Sequence, residues 1–397
     1  MTRRRLTYIA NVRMPTEKAH GVQIARMCEA FTRQGLHTML VHPRRRQPRS
    51  LHGVDPLDHY AVRPRFRVEP VANLDVVRAE RWLPDRVYLA AYYTHARLWA
   101  HYAVRRAARS WPAEIFMTRD IPVAAALVGC GLPTVLEIHQ APERWSLRLL
   151  RRIAAAPSMR LVVTMTAALR DRLLARGVNL PRTLVLHDGV DVDRFAAAPT
   201  DLSWRDGRPT VLYTGHLFPE KGVSTLVDAA RHLPGIAVRI VGGMPAHIGE
   251  WRRRLAADGP SNVEFLGYYP PERIPAIQKG ADLLVLPNSG RHPHSARDTS
   301  PMKLFEYMAA GRPIVSSDVP ALREVLTHDV NAWLVPPDEP TALADGIRTL
   351  LGDAALASRL ADQAHLDVRR YRWTGRADAI IHGAGLESPA ELPGDAC

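Results

Sequence analysis

Between Asp298 and Glu306 the chain reads DTSPMKLFE, two carboxylates with one lysine, Lys303, between them. Carboxylates at this spacing could work as an acid and base pair or accept hydroxyl hydrogens, and the lysine could hold an anion. Ser300 is a good N-cap, Pro301 suits a first helical position and Gly311 a stop, so the spacing predicts a helix from Pro301 to about Ala310. Lys303 then falls in the first turn, where a cation is disfavoured by about 0.3–1 kcal/mol. Pairing with Glu306 recovers roughly 0.2–0.5 kcal/mol, in the poorer orientation. An anion at the start of the helix, held by Lys303 and backbone N–H groups around Thr299 and Met302, would remove the conflict. Glu306, one turn deeper beside Met302, Ala309 and Ala310, suits a bidentate acceptor for two neighbouring hydroxyls.

A second stretch, YTGHLFPEKGVSTLVDAA from Tyr213, sets Gly215 and His216 directly after a strand and Lys221-Gly222 at the start of an amphipathic segment. That arrangement offers N–H groups and a point charge to a phosphate, and a structural turn with a solvated lysine fits it equally. Its spacing matches neither a Walker loop nor the dinucleotide fingerprint. His292 and His294, in RHPHSARD, read as a polar loop, because no further Cys or His stands at ligand spacing for a metal. Arg119 ends the strand candidate EIFMTR, either toward a ligand or as an ordinary strand-end cation.

These residues need a frame. Short aliphatic runs alternate with helix-length amphipathic segments, the pattern of βαβ units and a parallel sheet. Strands are expected at LTYIANV, HTMLVHP, EIFMTR, TVLEIH, RLVVTM and TLVLHDG in the first half, and at TVLYTG, IAVRIVGG, VEFLG, DLLVLP, PIVSS and NAWLV in the second. The polar stretch DRFAAAPTDLSWRDGRPT reads as a linker, giving domains 1–196 and 197–371 with a terminal segment 372–397. Residues 44–86, rich in Pro and Arg, read as a long loop. VYLAAYYTHARLWAHYAVRRAARSW, from Val87, reads as a helix with aromatics and arginines. Packing on its own domain and lying on an anionic membrane surface are both open to it.

With 397 residues, 46% hydrophobic and 7% aromatic, the chain can build two sizeable cores. No apolar run approaches the length of a membrane span, and the start, MTRRRLTYIANV, reads as strand rather than signal peptide. The three cysteines match no metal or disulfide spacing, so a cytoplasmic protein is expected, with peripheral membrane association open. The net charge of +13 favours an anionic partner. Arginine is spread through both halves rather than clustered with aromatics, which ranks a nucleic-acid-binding protein last. Lysine occurs only at positions 18, 221, 279 and 303, so Lys221 and Lys303 stand out.

TGHLFPEKG, VGG, FLGYYPPERIP, ADLLVLPNS, DTSPMKLFEYMAAGRPIVSSDVPALREV and NAWLVPPDEPTALADGI, in this order, resemble the carboxyl-terminal domain of retaining glycosyltransferases of family 4, the group 1 glycosyltransferases. MPTEKAHGVQIARMCEAFTRQGLHTMLV, TVLEIHQ and LHDGVDVDRF are similar to the family's amino-terminal half. The resemblance implies an α/β chain of the GT-B fold, two Rossmann-like doubly wound domains facing each other across a cleft. It implies retaining, metal-independent transfer of a sugar from a nucleoside diphosphate sugar, itself a substrate, to an acceptor hydroxyl, with no cofactor. The acceptor could be lipid-linked or a small molecule. Carried over, Lys221 would hold the diphosphate, with Gly215, His216, Thr299, Ser300, Met302 and Lys303 around it, and Glu306 would accept the ribose hydroxyls. Asp298 would contact the transferred sugar, His139 would lie at the reaction centre, and Gly21 would match the glycine loop facing the phosphates. Trp373 resembles the start of the family's last helix. The sequence departs from the family at His216, where arginine is usual, at Asp298, shorter than glutamate, at Pro301, where many members carry glycine, and at His20-Gly21, in place of a glycine pair. A nucleotide-sugar epimerase or a phosphorylase is the alternative within the fold.

Overall fold

The computed structural model describes residues 4–76, 82 and 84–386. It divides into two compact units. One runs to Met165 and adds Arg170–Leu186 and the chain from Trp373; the other holds Thr166–Leu169 and His187–Arg372. The boundary expected at 196/197 therefore lies at 186/187, because Val190, Val192 and Phe195 are buried in the core of the second unit with Leu304, Phe305 and Met308. Of the terminal segment 372–397, residues 387–397 lie outside the described residues.

Among the described residues the first unit has a parallel sheet of seven strands: β1 (Arg5–Ile9), β2 (His37–Pro43), β3 (Arg67–Val71), β4 (Ile115–Thr118), β5 (Thr134–Ile138), β6 (Met159–Thr164) and β7 (Thr183–Val185). Their order is β3-β2-β1-β4-β5-β6-β7. The second unit has six: β8 (Thr210–Thr214), β9 (Ala237–Val241), β10 (Val263–Gly267), β11 (Leu283–Leu286), β12 (Ile314–Ser317) and β13 (Trp333–Val335), in the order β10-β9-β8-β11-β12-β13. Both sheets are doubly wound, and in each the order reverses at one point: between β1 and β4, and between β8 and β11. Ligands of such sheets sit outside the carboxyl ends of the strands at these reversals. The central strands are buried along their whole length, as sheets covered by helices on both faces require.

The stretch 44–86, read as a long loop, contains β3 and the short helix Pro56–His59. Its strand, RVEPV, is only partly buried and carries Pro70, a residue tolerated at a sheet edge, which is where β3 lies. That edge position is why the alternation was too weak to read. The aromatic helix spans Asp85–Ser110 and buries Ala96, Trp99, Ala100, Ala103, Val104 and Ala107 against β1, β2 and β4 residues of its own unit.

The helix Trp373–Gly383 belongs to the first unit and is tied there by a buried ion pair. Arg376 Nη2 lies 2.8 Å from Glu137 Oε2, both side chains almost fully buried. The same guanidinium donates to the carbonyl of Leu186 at 3.3 Å. Glu137 also accepts from Gln23 Nε2 at 2.7 Å, and Gln23 Oε1 accepts from Arg119 at 3.3 Å. Removing one partner leaves an uncompensated buried charge, so Arg376→Met should cost about 3–5 kcal/mol in urea unfolding, most of it recovered when Glu137→Leu is added. A loss below about 1 kcal/mol for the single change would show the pair to be dispensable.

Candidate functional site

In the second unit the reversal between β8 and β11 gathers most of the residues singled out in the sequence. The loop after β8 forms a short 3-10 turn, Pro219–Lys221, before the helix Val223–Ala230. Gly222 joins them in the left-handed region at φ 69°, and a Cβ there would come within 1.6 Å of the carbonyl oxygen of Pro287, the residue after β11. Only glycine lets the two loops close on each other. The Glu220 carbonyl clamps them further, accepting from the Ser289 N–H at 3.2 Å and from Ser295 Oγ at 2.7 Å.

The stretch RHPHSARD, read as a polar loop, includes a π-helical turn, His294–Asp298, with Ser295, Ala296 and Asp298 buried. Asp298, Thr299 and Ser300 all enter the interior. Ser300 does not cap the next helix as expected. That helix spans Met302–Ala310, its cap position is Pro301 with no side-chain bond, and Ser300 Oγ instead accepts from the Asp188 N–H at 2.9 Å. The hydroxyl serves the neighbouring chain segment because Pro301 stands between it and the helical amides.

Lys303, second in the helix, points its buried ammonium at the ring of Tyr213, 3.9 Å from the centroid, with no hydrogen-bond partner among the described residues. The cation–π contact gives the ammonium a partner that the sequence did not disclose, because Tyr213 lies on a strand some ninety residues earlier in the chain. Burial, and then the charge of Lys221, push the Lys303 ammonium well below the usual lysine range, while Glu306 opposes the shift. Burial lowers Lys221 as well, against Glu220. Gly215 is close by: a Cβ on it would lie 3.7 Å from Lys303 Cδ. Glu306 accepts from Gln278 Nε2 at 3.2 Å, and the same amide reaches Thr214 Oγ1 at 2.9 Å. Tyr307, next in the chain, accepts from the Thr214 N–H at 2.7 Å, fixing the helix to the end of β8. His216 stacks on Phe218, ring centroids 5.2 Å apart, and its carbonyl accepts from the Tyr213 hydroxyl at 2.7 Å.

The structure thus brings Gly215, His216, Lys221, Lys303 and Glu306 to one end of β8, with Asp298, Thr299, Ser300 and Met302 on the segment that leads into the helix. Gly21 and His139 belong to the other unit. Gly21 lies inside the first turn of the helix Ala19–Arg33 rather than in a glycine loop. A Cβ there would meet the Tyr60 hydroxyl at 2.2 Å and Thr16 Cγ2 at 2.5 Å, so packing against Tyr60 accounts for this glycine.

His139 follows β5 and donates from Nε2 to Glu137. Burial and the charge of Arg119 bring its imidazole down to about 4, against the pull of Glu137, so it is neutral at neutral pH with Nδ1 as the acceptor. Burial opposes ionisation of Glu137, yet Arg376 and His139 hold its carboxyl below the usual range. Sequence reading missed Glu137, Gln23 and Arg376. A carboxylate in the middle of the apolar strand TVLEI was the available signal.

The two units, each a doubly wound parallel sheet with its polar residues at the strand reversal, define a two-domain Rossmann-like protein of the GT-B class. Residues 196–367 match the family described as glycosyl transferases group 1. The chain is 35% identical over 205 residues to a phosphatidyl-myo-inositol mannosyltransferase of Mycobacterium tuberculosis, covering 49% of this chain and 51% of that one. It is 30% identical over 258 residues to a D-inositol 3-phosphate glycosyltransferase of Nocardia farcinica, covering 61% and 55%. The chain thus spans about half the length of the relatives it matches. The fold is shared with Anabaena Alr3699/HepE, solved with UDP, at TM-score 0.70 and 18% identity, over 96% of this chain and 99% of that one. It is also shared with the sucrose-phosphate synthase of Thermosynechococcus elongatus, at TM-score 0.74 and 17% identity, over 96% and 98%.

Burial also sets a pH dependence. His139 and His42 both fall to about 4 in the folded chain, against roughly 6.5 when unfolded. Between those values the unfolded chain binds more protons, so stability is full above about pH 6.5 and declines toward pH 4. Asp120, raised to about 6 chiefly by burial, acts the other way over much of that interval, one group against two. The thermal midpoint should therefore fall on acidification from pH 7 to 4.5, and His42→Asn should flatten the profile; a midpoint that rises over this range would contradict the burial of both rings.

Proposed function

We propose that the chain is a retaining, metal-independent glycosyltransferase that moves a sugar from a nucleoside diphosphate sugar to an acceptor hydroxyl. The observation that carries this reading is the buried ammonium of Lys303, seated on Tyr213 at the end of β8, with the charge of Lys221 acting on it. Like charges disfavour each other in a buried setting, and an anion between them reverses the sign of the interaction. A diphosphate supplies that anion. Departure of the nucleoside diphosphate concentrates charge on the leaving phosphate oxygen, and Lys221, Lys303 and the N–H groups near Thr299 and Met302 are the groups that would stabilise it. Glu306, held by Gln278, is suited to accept two ribose hydroxyls, and Asp298 to contact the transferred sugar. Neutral His139 offers Nδ1 to a substrate hydroxyl.

The acceptor is proposed to be a lipid-linked or small-molecule polyol, a reading supported by the inositol-based names of the relatives. Glu306→Ala should abolish transfer and weaken UDP or GDP stabilisation in a thermal-shift assay while moving the unliganded midpoint little. Transfer by the unaltered protein should survive excess chelator. Retained activity in Glu306→Ala, or loss of activity in chelator, would each break the reading.

We further propose an anionic membrane surface as a partner. No helix among the described residues is long and apolar enough to cross a membrane. The helix Asp85–Ser110, however, exposes Leu98 (66%) and Tyr102 (48%) among the exposed Arg97, Arg105 and Arg109. Apolar and aromatic side chains among arginines suit the headgroup region of an anionic bilayer. The protein should float with vesicles containing anionic phospholipid and not with neutral ones, and Leu98→Ser with Tyr102→Ser should reduce flotation; equal recovery on both lipids would remove this surface from the account.

A further inference from the structure

Gln278 lies in the second unit, in the short helix Ile274–Lys279, and its side chain is fully buried. Ile277 and Ala281, on either side of it in the chain, pack in the same core as Leu304 and Phe305 of the helix Met302–Ala310, and these apolar contacts fix its place. Its side-chain nitrogen, Nε2, donates to two acceptors, Thr214 Oγ1 at 2.9 Å and Glu306 Oε2 at 3.2 Å. Thr214 is also bound to the Tyr307 hydroxyl, through its N–H at 2.7 Å and its Oγ1 at 3.3 Å. One amide thus ties the last residue of β8 to the carboxylate of Glu306.

The oxygen of the same side chain, Gln278 Oε1, is buried without a hydrogen-bond partner. A buried acceptor left unmade carries a desolvation penalty, and a methionine or leucine would fill the same space without one. An amide that costs stability through its oxygen is explained by what its nitrogen does. Thr214 is already held by Tyr307, so the nitrogen adds most at Glu306. A glutamate side chain turns about several bonds, and it accepts hydroxyls on adjacent ring carbons together only when its carboxylate faces both. A donor on one oxygen restricts that rotation before a ligand arrives, and the oxygen keeps a second lone pair for the ligand. A neutral donor does so without cancelling the carboxylate charge, which also acts on Lys303.

We propose that Gln278 is a positioning residue for Glu306 and sets the preference of this chain for a ribonucleotide over one that lacks the neighbouring ribose hydroxyls. The assignment rests on the reading above, in which Glu306 accepts those hydroxyls. Gln278 touches no ligand itself. Its amide aims the carboxylate, and the selection is made at the binding step, by the difference between nucleotides with and without the hydroxyl pair.

The test is titration calorimetry on the full chain, unaltered and as Gln278→Met and Gln278→Leu. The ligands are whichever of UDP and GDP raises the thermal midpoint more, and its 2′,3′-dideoxy analogue. The unaltered protein should hold the ribonucleotide about tenfold tighter or more, since the analogue leaves the acceptor unpaired. Gln278→Met should bring the two affinities within about threefold of each other, by weakening the ribonucleotide and leaving the dideoxynucleotide unchanged. Gln278→Leu should do the same, and because its branched side chain packs differently, a folding defect in one variant leaves the other to decide. A preference kept in either folded variant overturns the proposal, as does an equal loss on both ligands, which marks a merely structural residue. Glu306→Ala separates the readings: if it removes the preference and the Gln278 variants do not, Glu306 holds the ribose and Gln278 does not position it. If the unaltered protein binds both ligands alike, the ribose role of Glu306 fails and this assignment with it; if neither UDP nor GDP binds, the transferase reading fails as well.

Discussion

Lys303 holds a buried ammonium in the first turn of a helix, against the positive end of the dipole and within the field of Lys221. Three effects oppose that charge: burial, a like charge and the dipole. Among the described residues, the face of Tyr213 and the carboxylate of Glu306 favour it. A group placed so unfavourably persists when the surrounding packing leaves it no alternative, and here the packing is extensive. Tyr307 is bound to Thr214, Gln278 ties Thr214 to Glu306, and Gly222 lets the β8 loop lie against the end of β11. The residues around the lysines are thereby fixed before any ligand arrives, which lowers the ordering cost of binding an anion.

The first unit solves a comparable problem with the opposite sign. Glu137 carries a full negative charge inside a central strand and is balanced by Arg376 from the helix Trp373–Gly383, by Gln23 and by His139. The pair fastens that helix to the unit, and Glu137, which can only accept, sets the tautomer of His139, whose neutral form follows from burial and the charge of Arg119. His139, proposed above to meet a substrate hydroxyl, is thus oriented through Glu137. In both sheets the polar residues collect where strand order reverses, because there the helices that follow neighbouring strands diverge to opposite faces and leave the carboxyl ends uncovered.

Much of this was legible along the chain. The strand candidates at LTYIANV through NAWLV all contain strands, and for the fully buried central ones the reason is that they need an apolar run, which leaves a local signature. The edge strand β3, half solvated and carrying Pro70, left none. The helix after Pro301 was readable from Gly311 and its flanking residues, but the role of Ser300 was not. Its hydroxyl had two possible targets, and the choice fell to Asp188, far away in sequence. Gly21 has a further reason that the sequence did not disclose: Tyr60, from a stretch that read as loop, leaves no room there for a Cβ.

The sequence by itself determined the alternation of strands and helices, the two-unit plan, and the residues able to hold charge, because composition and periodicity are local and survive without any knowledge of neighbours. Only the tertiary structure decided which of those residues meet. Lys303 rests on Tyr213, Glu137 pairs with Arg376, and Gln278 meets both Thr214 and Glu306. Each of these contacts joins segments distant in the chain, and electrostatic and hydrogen-bond energies fall off with distance in space, not with separation in sequence.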